Sequence, residues 1–161
     1  MKTDALIFGV RGQDGRLLCS FLKKHGLEII GCSRKEGPLS ISNNLSINCK
    51  RIDYQNIEAL RDFLKVTKPK YIFNFAGIAD IDESLKNPKK TITNNILNNF
   101  KLLEISKKHK VKKYIFASSV YAGSNSGNYY SISKNCCEDY IILYSKLNSL
   151  NYTILRFGSL Y

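Results

Sequence analysis

A chain of 161 residues with 43% hydrophobic and 24% charged residues is of single-domain size and apolar enough to close a core, which excludes a disordered chain. Twenty-five Lys and Arg against 13 Asp and Glu give a formal charge of +12, but the densest run, KKHKVKK from Lys107 to Lys113, lacks interleaved aromatics and ends an expected helix, so it reads as a solvated face and no nucleic-acid partner is expected. No apolar stretch reaches membrane-spanning length and no cleavage site follows the N-terminal apolar run, so a soluble, cytoplasmic protein without a membrane partner is expected.

In chain order, DALIFGV reads as a short buried strand, followed by glycines at three-residue spacing, Gly9, Gly12 and Gly15. QDGRLLCSFLKKHG then places Leu17, Leu18, Phe21 and Leu22 on one helical face before Gly26 stops the helix, and EIIGCS is a second strand. The polar SRKEGPLSISNNLS reads as a loop, INCKRID as a third strand ending at Asp53, and NIEALRDFLKVT as an amphipathic helix. Pro69 precedes the strand KYIFNFAG, NPKKTITNNILNNFKLLEISKKHK supplies a long helix, and KYIFASS is a fifth strand. YYSISKNCCEDYIILYSKLNSL is helical again, and YTILRFG is a sixth strand. This alternation predicts an α/β fold, a doubly wound parallel sheet of about six strands with helices on both faces, spanning residues 1–161 as one domain.

Ligands of such sheets bind at the carboxyl ends of the strands, where the glycine turn, Ser33 and Arg34, Asp53, Ala76 and Gly77, and Ser118 and Ser119 all fall. The turn itself, with Gly9, Gly12, Gln13, Asp14 and Gly15, suits a pyrophosphate set against a helix N-terminus, because glycine lets a ligand approach the main chain. An acidic residue closing the second strand would accept hydrogen bonds from an adenosine ribose diol. Ser33, Arg34 and Lys35 stand there instead, which favours NADP over NAD, and Arg11 could add to the positive field.

Tyr130 and Lys134 lie four apart on one helical face, after the strand that ends in Ser118 and Ser119. A tyrosine whose ordinary pKa near 10 is lowered by a neighbouring ammonium can move an alcohol proton, while a serine hydroxyl holds the substrate oxygen. The five cysteines (Cys19, Cys32, Cys49, Cys136, Cys137) form no C-x-x-C pair, and only His25 and His109 could join them at a metal, so buried thiols and no metal are expected.

Together these residues resemble the extended short-chain dehydrogenase/reductase family, the NAD(P)-dependent epimerases and dehydratases of nucleotide sugars. GVRGQDGRLL with GCSRKEG is most similar to the cofactor half of GDP-mannose 4,6-dehydratases and their reductase relatives, which use NADP. PKYIFNFAGIADIDESLKNPKKTITNNILNNFKLLE resembles the family's fourth strand and following helix, with Ala76 and Gly77 near the cofactor and the helical asparagine, Asn95. Asp53 matches the aspartate near adenine, and FASS and YSISK match the serine and the Tyr/Lys pair.

The resemblance implies a Rossmann-type fold in which Tyr130 is the acid/base, Lys134 holds the ribose, and Ser119 orients the sugar oxygen. A nucleotide-sugar substrate and a homodimer through the helices carrying Asn95 and Tyr130 are implied as well. SSVYAG offers no acidic residue of the kind dehydratases use for water elimination, which leaves epimerisation or keto-sugar reduction. The span from Ser119 to Tyr130 is shorter than in most extended members, which leaves the serine register open by one. The C-terminal lobe that forms most of the sugar pocket is missing, so the chain is expected to be the N-terminal part of a longer enzyme. A dehydratase and a non-catalytic dinucleotide-binding module are the alternatives.

Overall fold

Among the described residues seven strands and the helices between them follow one another as β1 (Ala5–Phe8), α1 (Gln13–Lys24), β2 (Ile29–Ser33), β3 (Gly37–Ser42), β4 (Leu45–Arg51), α2 (Ile57–Thr67) and β5 (Tyr71–Asn74) in the first half. The second half holds α3 (Ile81–Lys86), α4 (Pro88–Thr91), a π-helical turn (Ile92–Leu97), α5 (Asn98–Lys108), β6 (Lys113–Ser119), α6 (Tyr129–Asn148) and β7 (Tyr152–Phe157). The computed structural model describes residues 3–42, 45–54, 56–123 and 127–158; part of the span between Ser119 and Tyr130 and the end of LRFGSLY lie outside the described residues.

The strands form one sheet in the order β3-β4-β2-β1-β5-β6-β7, parallel except for the β3–β4 pair. β1 is fully buried because both of its faces are covered. Leu6 and Phe8 pack with Leu60 and Leu64 of α2, Leu102 and Leu103 of α5 and Ile141 of α6. Ala5 and Ile7 pack on the other face with Cys19 and Leu22 of α1 and Ile47 and Cys49 of β4.

Two expectations change. The segment read as a polar loop forms β3, antiparallel to β4, because Leu39 pairs in register with Ile47 and presents an apolar residue at every second position while the serines between face water. The third parallel strand accordingly begins at Leu45 and stops at Arg51, before Asp53. On α1 the buried residues are Gly15, Cys19 and Leu22, whereas Leu17 and Phe21 are 60% and 58% exposed. Small residues let the helix lie close over the glycine turn, and Phe21 instead stacks against His25 with ring centroids 4.2 Å apart.

The long helix after β5 is interrupted by the π-helical turn, whose widened geometry spans Asn95.

Candidate active site

The turn after β1 uses its glycines for two purposes. Gly9 has φ +81°, and a Cβ there would stand 2.5 Å from the Phe75 carbonyl carbon and 2.7 Å from the Ala76 nitrogen. A Cβ on Gly15 would stand 2.5 Å from the Gly9 oxygen. Both glycines are therefore demanded by the chain's own packing. Gly12 is different: its φ is −73°, a Cβ would come no closer than 3.3 Å to the Gly9 oxygen, and the residue is exposed.

Gly12 also caps α1 without a side-chain acceptor, and among the described residues the amides of Gln13, Asp14 and Gly15 meet no internal acceptor. Unpaired amides at the positive end of a twelve-residue helix are what a pyrophosphate needs.

At the end of β2, Arg11 reaches across from the glycine turn, donating from Nε to Ser33 Oγ at 3.1 Å and from Nη2 to the Lys35 carbonyl at 3.3 Å. Ser33 Oγ in turn donates to the Lys35 carbonyl. The position that closes β2 thus carries a hydroxyl, and Glu36 is turned to Lys50 at 3.1 Å. Ile52 N–H donates to the Ser33 carbonyl at 3.0 Å, so the exposed Asp53 lies just past this end of the sheet.

The opposite wall comes from β6 and α6. Asn128 caps α6 by accepting the Ser131 N–H at 2.8 Å, which sets Tyr130 in the first turn. Tyr130 is 8% exposed and Lys134 7%. Lys134 Nζ donates to the Ala117 carbonyl at 2.6 Å and lies 4.8 Å from the Phe116 ring centroid and 5.7 Å from that of Tyr130. Burial pushes its pKa down to about 8, against the opposing pull of Cys137 and Glu138.

The two serines part company. Ser118 Oγ donates to the Glu138 carboxylate, whereas Ser119 Oγ accepts the Tyr121 N–H at 3.2 Å and keeps its own proton uncommitted among the described residues.

One cleft of about 450 Å³ gathers Gly9, Gly12 to Gly15, Gly77, Ser119, Tyr130 and Lys134. Asp53, Ala76 and Asn95 do not line it, and Arg34 lines a separate cavity beside α4. Asn95, 3% exposed, acts from behind the wall: its Oδ1 accepts the Ile78 N–H at 2.7 Å while Nδ2 donates to the Ile78 carbonyl and to Ser133 Oγ, each at 3.0 Å. Its Oδ1 would also meet a Gly77 Cβ at 2.9 Å, so the residue shapes the turn after β5. Among the described residues no three metal-ligating side chains converge, all five cysteines are free, and no helix is long and apolar enough to cross a membrane.

Residues 5–161 match the model of the NAD dependent epimerase/dehydratase family. The chain belongs to that family. UDP-glucuronate 4-epimerase of Thermodesulfobacterium geofontis is 27% identical over 97% of the chain and 55% of its own length. The UDP-glucose 4-epimerase of Thermotoga maritima, solved with UDP-glucose, superposes with a TM-score of 0.85 at 25% identity, over 99% of this chain and 56% of that one. The Thermus thermophilus UDP-glucose 4-epimerase, solved with NAD, gives a TM-score of 0.86 at 23% identity over the same shares and supports the fold. The chain thus spans a little over half the length of these relatives.

In this family member, sequence reasoning missed Glu138. The residue is 5% exposed and joins three elements, accepting from Ser118 of β6 and from Arg156 of β7 (Nε to Oε1 at 3.0 Å, Nη2 to Oε2 at 2.6 Å). Burial acts to raise its pKa, but the hydrogen bonds of Arg156 and Ser118 and the charges of Arg156 and Lys134 outweigh it and hold the carboxyl below its ordinary value. The signal was present: Tyr130, Lys134 and Glu138 recur every four residues along one face of α6.

Proposed function

We propose that the chain is the dinucleotide-binding domain of a longer, cytoplasmic nucleotide-sugar epimerase or keto-sugar reductase that uses NADP. The observation that carries this reading is the single cleft shared by the uncapped glycine turn and by Ser119, Tyr130 and Lys134. Its pyrophosphate end is supported by the unpaired amides of Gln13 to Gly15. Its cofactor preference is supported by the hydroxyl at the end of β2, the Arg11 clamp and the neighbouring Arg34, although relatives such as the Thermus thermophilus enzyme are solved with NAD. The nicotinamide, when bound, accepts and returns a hydride at a sugar carbon.

The chain's own groups handle the proton. Tyr130 takes it from the sugar hydroxyl during oxidation and returns it during reduction, and Ser119, with its hydroxyl proton uncommitted, holds the same oxygen. Lys134 contributes a charge beside the Tyr130 ring and donors for a ribose diol. Gly12 leaves room for the cofactor, Gly77 lines the cleft beside it, Asn95 fixes the Ala76–Gly77 turn and Asp53 borders the adenosine. SSVYAG carries no acidic residue to assist loss of water, which favours epimerisation or reduction over dehydration. A homodimer is proposed through the helices carrying Asn95 and Tyr130, where Leu97 of the π-helical turn and Tyr129, Ile132, Leu143 and Leu147 of α6 stand exposed.

Titration of the protein with NADPH and NADH, followed by nicotinamide fluorescence, tests the cofactor half. NADPH is expected to bind more tightly, and Arg34→Ala to weaken it about tenfold with NADH unchanged. Tyr130→Phe tests the chemistry: turnover of a nucleotide sugar should fall on the order of 10³-fold with cofactor affinity retained. Unchanged turnover would overturn the assignment.

A further inference from the structure

The second cavity, about 620 Å³, opens between the loop leaving β2 and the corner joining α3 to α4. Among the described residues it is lined by four cations, Arg34, Lys86, Lys89 and Lys90, with the neutral Asn87, Pro88, Thr93 and Asn94 and without a carboxylate. Lys90 is neutralised by Glu83 at 2.7 Å. Among the described residues the side chains of Arg34, Lys86 and Lys89 make neither a hydrogen bond nor an ion pair. Three uncompensated cations around one hollow repel one another, and a bound dianion relieves that repulsion.

Topology says which dianion. β2 and β5 flank β1 in the sheet, so a ligand laid across the end of β1 has the Ser33–Lys35 loop on one side and the segment following β5 on the other. Arg11 holds the first of these in place through Ser33 and Lys35. Residues 86–94 belong to the second.

We infer that Lys86 and Lys89, facing Arg34 across this cavity, form the second cationic wall around the adenosine 2′-phosphate of NADP and determine the preference over NAD. The inference rests on the NADP reading above. It extends the site from the end of β2 to a corner that no glycine or strand-end pattern in the sequence marks.

The test is the same pair of titrations, NADPH and NADH, on wild type, Lys86→Ala, Lys89→Ala and the double variant, with Lys90→Ala beside them. Each exposed lysine is expected to contribute about fivefold to NADPH affinity and nothing to NADH affinity, the double variant more than tenfold. Lys90→Ala, already paired with Glu83, should change the ratio least. The preference should also shrink as salt rises from 50 to 500 mM, on the scale of a shortening Debye length. Adenosine 2′-monophosphate should compete with NADPH more strongly than adenosine 5′-monophosphate in wild type, and this advantage should vanish in the double variant.

A wild type that binds the two cofactors equally, or neither, overturns the NADP reading and this inference with it. A wild type that prefers NADPH, loses the preference in Arg34→Ala and keeps it in the lysine double variant overturns only the second wall. All four positions carry surface side chains, so circular dichroism melts should coincide with wild type and separate these outcomes from misfolding.

Discussion

On the β1 side of the cleft, a turn bare of side chains at Gly9, Gly12 and Gly15 presents the unpaired backbone amides of Gln13, Asp14 and Gly15, whereas on the β6 side Ser119, Tyr130 and Lys134 offer polar side chains that are 5%, 8% and 7% exposed. The first wall works by close packing, and its glycines satisfy the fold and the ligand together. The second holds polar groups where an apolar core would be more stable, with a lysine beside two aromatic rings. The two walls should therefore answer mutation with opposite signs.

The largest effect is expected at Gly9. Gly9→Ala combines a positive φ with a methyl group 2.5 Å from the Phe75 carbonyl carbon, and the backbone just past β5 must move. A loss of about 3 kcal/mol or more is expected in urea unfolding. Gly12→Ala, at φ −73° and with its Cβ 3.3 Å from the Gly9 oxygen, should cost under about 1 kcal/mol yet still weaken cofactor binding, because its methyl group enters the cleft. Equal destabilisation by the two changes would break the distinction between a glycine needed for packing and one needed for the ligand.

Lys134→Met tests the other wall. The shift of this lysine from 10.5 to about 8 corresponds to roughly 3 kcal/mol of charge burial, and the lost bond to the Ala117 carbonyl takes back about 1, so the variant should be about 2 kcal/mol more stable at pH 7. The pH dependence has a definite sign. Between about 8 and 10.5 the unfolded chain holds a proton that the folded chain has released, so wild-type stability rises with pH across that window. The advantage of Lys134→Met should therefore shrink from pH 7 to pH 9.5. A variant less stable than wild type at pH 7 would mean that the ammonium holds the wall together.

Much of this was legible in the chain. β1, the glycine turn and the Tyr130/Lys134 face were readable because each rests on local periodicity or on a glycine whose role is local. The β3–β4 hairpin was obscured by its serines, asparagines, glycine and proline, although Leu39 and Ile41 against Leu45, Ile47 and Cys49 carry a period of two. The α1 face was misread because Leu17 and Phe21 are larger and more apolar than Gly15 and Cys19. Which face is buried was decided by how closely the helix must approach the turn, a tertiary fact. Glu138 escaped because its partners, Ser118 and Arg156, lie 20 and 18 residues away and meet it only when β6 and β7 pair.

Glu138 also marks where the second wall is compensated. Unlike Lys134, it is matched by a two-pronged guanidinium and a hydroxyl, so removing its charge should destabilise. Arg156 has a side chain 54% exposed, and water screens its share, which limits the expected loss for Glu138→Gln to about 1 kcal/mol at pH 7. Because the folded carboxyl sits below its ordinary value, that contribution is complete above the ordinary value of 4.5 and is lost as the pH falls through the folded value. Wild type and Glu138→Gln should differ in urea unfolding at pH 7 and converge in acid. A difference that persists in acid, below the folded value, would assign the residue's role to packing between α6 and β7 instead of charge, leaving Lys134 with no paired counterweight on its own helix.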